Sequence, residues 1–179
     1  MSEYELLLGD CIIKMQELID NDTTVDMILT DIPYGTVKGL TLDGWNENSV
    51  DTLLDWGQPI DLQGFDIRIF NDEQGEALNQ LKHYKSFKFA WDNPKDNLDD
   101  KIDLLLNYIR PYKLMCYVLI GYWSTPEEDM NRVMHLVDKY KISPFVMPYN
   151  KFDPYQNKFA RWVNNKIVFN KVAWEDFEI

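Results

Sequence analysis

The chain has 179 residues, 45% hydrophobic and 14% aromatic, which suits one domain with a real core, or two small pieces sharing one, and excludes a disordered segment. Its net charge of −12 disfavours nonspecific attraction to nucleic acid, since phosphate affinity is built from Lys and Arg. Two separated cysteines, Cys11 and Cys116, exclude a disulfide framework or thiolate cluster, and an acidic start with no long apolar run points to a cytoplasmic chain without a membrane span.

The charge is uneven. Residues 1–56 carry 12 acids against Lys14 and Lys38, a net of −10, whereas residues 57–179 carry 18 acids and 16 bases, a net of −2. That shift predicts a seam near Trp56-Gly57, with one piece over 1–56 and a second over 57–179.

In chain order, Tyr4 to Leu8 reads as a short strand, and Gly9-Asp10 as a turn and helix cap. Ile12, Met15, Leu18 and Ile19 then fall at helical spacing, Asn21-Asp22 ends that helix, and Val25 to Thr30 is a second strand. A strand-helix-strand crossover implies parallel pairing. From Thr36 to Gly64 the periodicity fails in a polar, glycine-punctuated stretch, which marks a functional loop or a linker.

Beyond it the pattern is regular. Asp66 to Phe70 reads as a strand, Asn71 or Asp72 caps a helix through Leu81 and Tyr84, and Phe87 to Trp91 is a strand. Asn93-Pro94 suggests a cap with proline in the first turn, ahead of an apolar stripe over Leu98, Ile102, Leu105 and Ile109. Lys113 to Gly121 is apolar on both faces, as a central parallel strand should be. Thr125-Pro126-Glu127-Glu128 is a capping box, Pro144 to Tyr149 a strand, Phe159 to Val163 a short helix, and the tail over Ile167 to Phe177 a strand and a capped turn. The fold class expected is α/β: repeated strand-helix units around a mainly parallel sheet.

Two stretches carry chemistry. Asp31-Ile32-Pro33-Tyr34 follows an apolar run, and ligands of open α/β sheets collect at the carboxyl ends of strands. The tetrapeptide resembles the D-P-P-Y motif of DNA amino-methyltransferases, which modify adenine N6 or cytosine N4. An exocyclic amine is a poor nucleophile, so a carboxylate and a carbonyl must accept its hydrogens, while an aromatic face stacks on the extruded base. The resemblance implies a Rossmann-like unit, with Asp31 and Tyr34 on the target base, Pro33 holding the amine through its carbonyl, and Asp10 on the side of S-adenosylmethionine. It makes DNA a possible partner. Ile32 replaces the usual first proline, and no Phe-x-Gly-x-Gly cofactor loop follows in residues 57–179.

Gly64-Phe65-Asp66-Ile67-Arg68, Lys88-Phe89-Ala90-Trp91-Asp92-Asn93, Tyr117-Val118-Leu119-Ile120-Gly121-Tyr122 with Glu127-Glu128-Asp129, and Phe159-Ala160-Arg161-Trp162-Val163-Asn164 together resemble the carboxyl half of a phage-type radical S-adenosylmethionine protein. That resemblance implies part of a TIM-like barrel. Asp66, Arg68, Gly121, Met147 and Tyr149 would lie beside the cofactor, and Asp92 and Asn93 would face substrate. Asp92-Asn93-Pro94 reads equally as a helix cap, and Gly121 as a turn. The family holds its [4Fe-4S] cluster on three cysteines in C-x-x-x-C-x-x-C, which two distant cysteines cannot supply. The expected whole is a fusion of two truncated S-adenosylmethionine enzyme fragments with little activity alone. The alternatives are a DNA amino-methyltransferase with a diverged cofactor half, and a noncatalytic module completed by self-association or by another chain.

Overall fold

The computed structural model describes residues 7, 11–25, 28–30, 57, 59–62 and 64–178. Helix α1, Cys11–Asp20, is braced by Lys14 and Glu17 at 2.7 Å and by Gln16 and Asp20 at 2.9 Å. It ends where Asp22 turns left-handed at φ +52°. Asp22 N–H then donates to Ile19 O and Thr23 N–H to Leu18 O, both at 2.9 Å, which satisfies the last carbonyls of the helix. Strand β1, Ile28–Thr30, pairs in parallel with β2, Ile60–Leu62, across the expected seam.

The larger sheet has β4, Leu114–Ile120, between β3, Phe87–Trp91, and β5, Ser143–Pro148, with all three strands parallel. Parallel neighbours need crossovers, and each carries a helix. After β3 comes Asp99–Leu106, and after β4 comes Pro126–Met134. Pro154–Asn164 then returns to cover β5. β4 shows why the helices gather on its one face. Leu114, Cys116, Val118 and Ile120 are fully buried, while Met115, Tyr117 and Leu119 alternate with them half-exposed.

The sheet does not form part of a barrel, and its two edges show why. At β5, the Asn164 side chain accepts from Val146 N–H at 2.8 Å and donates to Val146 O at 2.9 Å, so an amide occupies the place another strand would take. At β3, among the described residues, an isolated bridge alone continues the sheet, with Phe65 N–H on Lys88 O at 3.0 Å. The strand expected over Asp66 to Phe70 is a 3-10 turn, Ile67–Ile69, because the Asp66 carboxylate folds back onto Arg68 N–H at 3.0 Å. The result is an open three-stranded sheet.

Local chemistry accounts for other departures. Asn93 makes a tight turn by accepting Lys95 N–H at 3.0 Å, so the next helix starts at Asp99, where Asn97 accepts Asp99 N–H at 3.0 Å. The short helix expected at Phe159 runs from Pro154, capped by Asp153, because its first turn buries a polar residue, Gln156, which carries no apolar spacing. The tail forms a helical turn, Lys166–Phe169, and a 3-10 turn, Trp174–Asp176, in place of a strand. Its rings pack on the preceding helix, with Trp162 Nε1 donating to Val172 O at 2.8 Å.

Candidate functional site

The carboxyl ends of β3, β4 and β5 present the residues with the most unsatisfied or unusual chemistry. At the β3 end, Asp66 and Arg68 form a two-pronged ion pair, Nε to Oδ1 at 2.8 Å and Nη2 to Oδ2 at 2.6 Å. Partial burial works against ionising Asp66, but hydrogen bonds from Arg68 hold its carboxyl below the usual range. Arg68 is held above its own usual range chiefly by Asp66, with added attraction from Asp96 and Asp92. These acids therefore share one electrostatic neighbourhood. Asp92 is raised by desolvation at the sheet edge, with Arg132 and Arg68 opposing. Asn93 spends its side chain inside its own loop, donating to Asp96 at 3.1 Å.

Behind that edge lies a buried charge pair that motif reading does not single out. Arg132, from the helix after β4, donates to Trp91 O at 2.7 Å, to Leu119 O at 2.8 Å and to Asp129 Oδ1 at 2.8 Å. It ties the ends of β3 and β4 together. Asp129 is fully buried and its carboxyl is raised by that burial, with Ser124 and Arg132 pulling the other way. The sequence signal for this clamp is present but weak: an acid and an arginine three apart, on the face that also carries Val133.

At the β4 and β5 ends the chemistry changes to rings. Gly121 sits at φ +74°, where side chains are disfavoured, and its N–H donates to Ser124 Oγ at 3.0 Å. The Gln156 amide lies where a Cβ on Gly121 would go, and Gln156 Oε1 accepts Asn150 N–H at 2.8 Å. Tyr149 N–H donates to Ile120 O at 3.1 Å, which brings its ring beside Tyr122, 4.5 Å between centroids. Tyr122 lies 4.4 Å from Trp123, and the three rings are 45–60% exposed. Gly121 and Tyr149 thus meet, with half-buried Met147 two residues earlier on β5, paired in register with Leu119. Tyr122 closed a quoted segment without being given a role and Trp123 was not singled out, although two adjacent aromatics at a strand's end were a visible signal.

The residues Asp10, Asp31, Pro33 and Tyr34 lie outside the described residues. No family model matches the chain, and neither a curated protein nor a solved structure does. Among the described residues no helix is long and apolar enough to cross a membrane.

The resemblances imply two groups, an iron-sulfur cluster and S-adenosylmethionine. Cys116 is fully buried in the middle of β4 and its thiol is pushed well up by burial, the opposite of what an iron ligand needs. With Cys11 as the other thiol in the chain, an iron-sulfur cluster does not fit these residues. At the β4–β5 edge Tyr122, Trp123 and Tyr149 offer exposed aromatic surface.

Proposed function

We propose that this chain is related to S-adenosylmethionine enzymes and works as a binding module for the adenosyl part of that molecule, with no cluster-dependent chemistry. The observation that carries the reading is the meeting of Gly121, Tyr122 and Tyr149 at the carboxyl edge of a parallel sheet, where ligands of such sheets collect. The adenine would stack on the exposed outer faces of Tyr122, Trp123 and Tyr149. When bound, the sulfonium supplies an activated methyl group. On the β3 side Asp92, whose carboxyl is raised by desolvation, is suited to proton exchange.

Equilibrium dialysis with labelled S-adenosylmethionine tests the reading. Saturable binding at or below about 1 mM is expected, competed by S-adenosylhomocysteine and by adenosine. Absence of saturable binding to folded protein would remove it.

A second reading has its own support. β1 ends at Thr30, the residue before Asp31, and runs parallel to β2, so the target-base tetrapeptide follows the carboxyl end of a parallel strand. In that reading the chain is a DNA amino-methyltransferase whose cofactor half has diverged. Methyl transfer from labelled cofactor to unmethylated duplex DNA, abolished by Asp31→Ala, is its test.

A further inference from the structure

A cavity of about 280 Å³ lies at the start of β5, between the π-helical turn His135–Lys139 and the helical turn Lys166–Phe169. That volume is at the lower end of the range for ligand pockets. Part of its wall is apolar, with Pro144 and Val163 buried and Phe169 half-buried. Such a wall favours a ligand with an apolar body, because covering it removes apolar surface from water.

The rest of the wall carries positive charge without negative. Lys141, Ser143, Lys166 and Asn170 line the cavity, and no described carboxylate does. Lys141, Lys166 and Asn170 are exposed and Ser143 is half-buried, so a ligand can reach all four. The side chains of Ser143, Lys166 and Asn170 make no hydrogen bond or short ion pair with any described residue. Lys141 donates one of its three ammonium hydrogens to Asp138 O at 2.7 Å, which leaves two.

Two observations independent of the cavity bear on it. Lys141 holds a left-handed backbone at φ +58° where the chain leaves the π-helical turn, a position that glycine usually takes. A lysine therefore accepts backbone strain at the cavity's border. The second is charge: residues 139–174 carry seven bases and one acid, Asp153, a net of +6 in a chain of −12. Asp153 itself is engaged, accepting Gln156 N–H at 2.9 Å.

We infer that this cavity binds a small amphipathic monocarboxylate, with an aromatic or short alkyl body against Pro144, Val163 and Phe169 and its carboxylate at Lys141 and Lys166. Ser143 and Asn170 supply further donors to the same oxygens. An inorganic anion leaves the apolar wall uncovered, and a neutral aromatic leaves both ammonium groups without a counter-charge. Ser143 and Tyr149 stand at opposite ends of β5, about 20 Å apart along the strand, so the site does not depend on adenosyl binding at the rings.

Amide NMR of the labelled full chain, titrated separately with sodium phenylacetate, 2-phenylethanol and inorganic phosphate, tests the inference. Phenylacetate should move the resonances of Ser143, Lys166 and Asn170 and saturate with a Kd at or below about 1 mM, while Tyr149 stays in place. The neutral alcohol and phosphate should each bind at least about fivefold more weakly. Lys166 is exposed, so Lys166→Glu should fold normally and weaken phenylacetate at least about tenfold, while Lys166→Arg keeps most of the affinity. Lys95→Glu makes the same change of net charge at an exposed position outside the cavity and should leave binding unchanged. The inference is overturned by no saturable shift at these residues up to about 10 mM, by either comparison compound binding as tightly, by equal affinity in Lys166→Glu, or by an equal loss in Lys95→Glu.

Discussion

The two ends of the carboxyl edge are built from opposite materials. On the β3–β4 side a buried Asp129–Arg132 pair ties strand carbonyls together and leaves little freedom. On the β4–β5 side an unusual glycine backed by Gln156 carries three exposed rings that touch one another. The difference teaches which residues maintain the edge and which are available to a ligand. Loss of stability should therefore follow the clamp and the Gly121 backbone, and loss of binding the exposed rings.

The largest effect is expected at the clamp. Asp129→Ala leaves Arg132 buried without its charge partner and should cost about 3–5 kcal/mol, read from the denaturant midpoint. A loss below about 1 kcal/mol would mean that the pair is not buried as described.

Gly121→Ala comes next, because it combines a left-handed backbone with a collision on Gln156; about 2–4 kcal/mol is expected. Adding Gln156→Ala should relieve the collision but not the backbone strain, so that double-variant thermal unfolding separates the two contributions.

Asn164→Ala sharpens the comparison at the outer edge. It strips two partners from Val146, should cost about 1–3 kcal/mol, and should increase concentration-dependent association in sedimentation, since it frees a strand edge.

A smaller effect follows acid. Burial opposes ionisation of Asp99, but Lys139 and His135 hold its carboxyl down at about 2, against an ordinary 3.8. A carboxyl depressed in the folded state contributes stability above its unfolded value and loses it as pH falls through the folded one. The contribution is therefore present above about pH 4 and disappears toward pH 2, and Asp99→Asn should flatten that part of the stability curve. Smallest of all, Trp123→Ala/Tyr149→Ala should shift stability by no more than about 0.5 kcal/mol, because the rings are exposed.

Much of the local structure was legible in the sequence, since its causes are local. The Thr125 capping box lies where its spacing puts it, Phe87–Trp91 is a strand as its apolar run indicates, and Leu114–Ile120 is central. What was not legible depended on side chains reaching across the chain. Asp66 and Arg68 read as strand residues, but their mutual ion pair closes a 3-10 turn. Asn164 reads as a helix end, yet its amide closes β5 and leaves the sheet open where a barrel was expected. At the edge, Gly121 was visible as a glycine after a strong strand, whereas its neighbours Tyr122 and Tyr149 came together only through the β4–β5 register. Asp129 stood in a quoted segment, but its pairing with Arg132 was not legible, because the clamp's other partners are main-chain carbonyls about 13 and 41 residues away.

The account turns on whether the β4–β5 end takes an adenosyl ring. Amide NMR of labelled protein during titration with S-adenosylmethionine reads this most directly. The backbone resonances of Gly121, Tyr122 and Tyr149 should move together and saturate, while those at Trp91 and Arg132 stay in place. Movement confined to other residues, or none at these three with ligand in excess, would contradict the account.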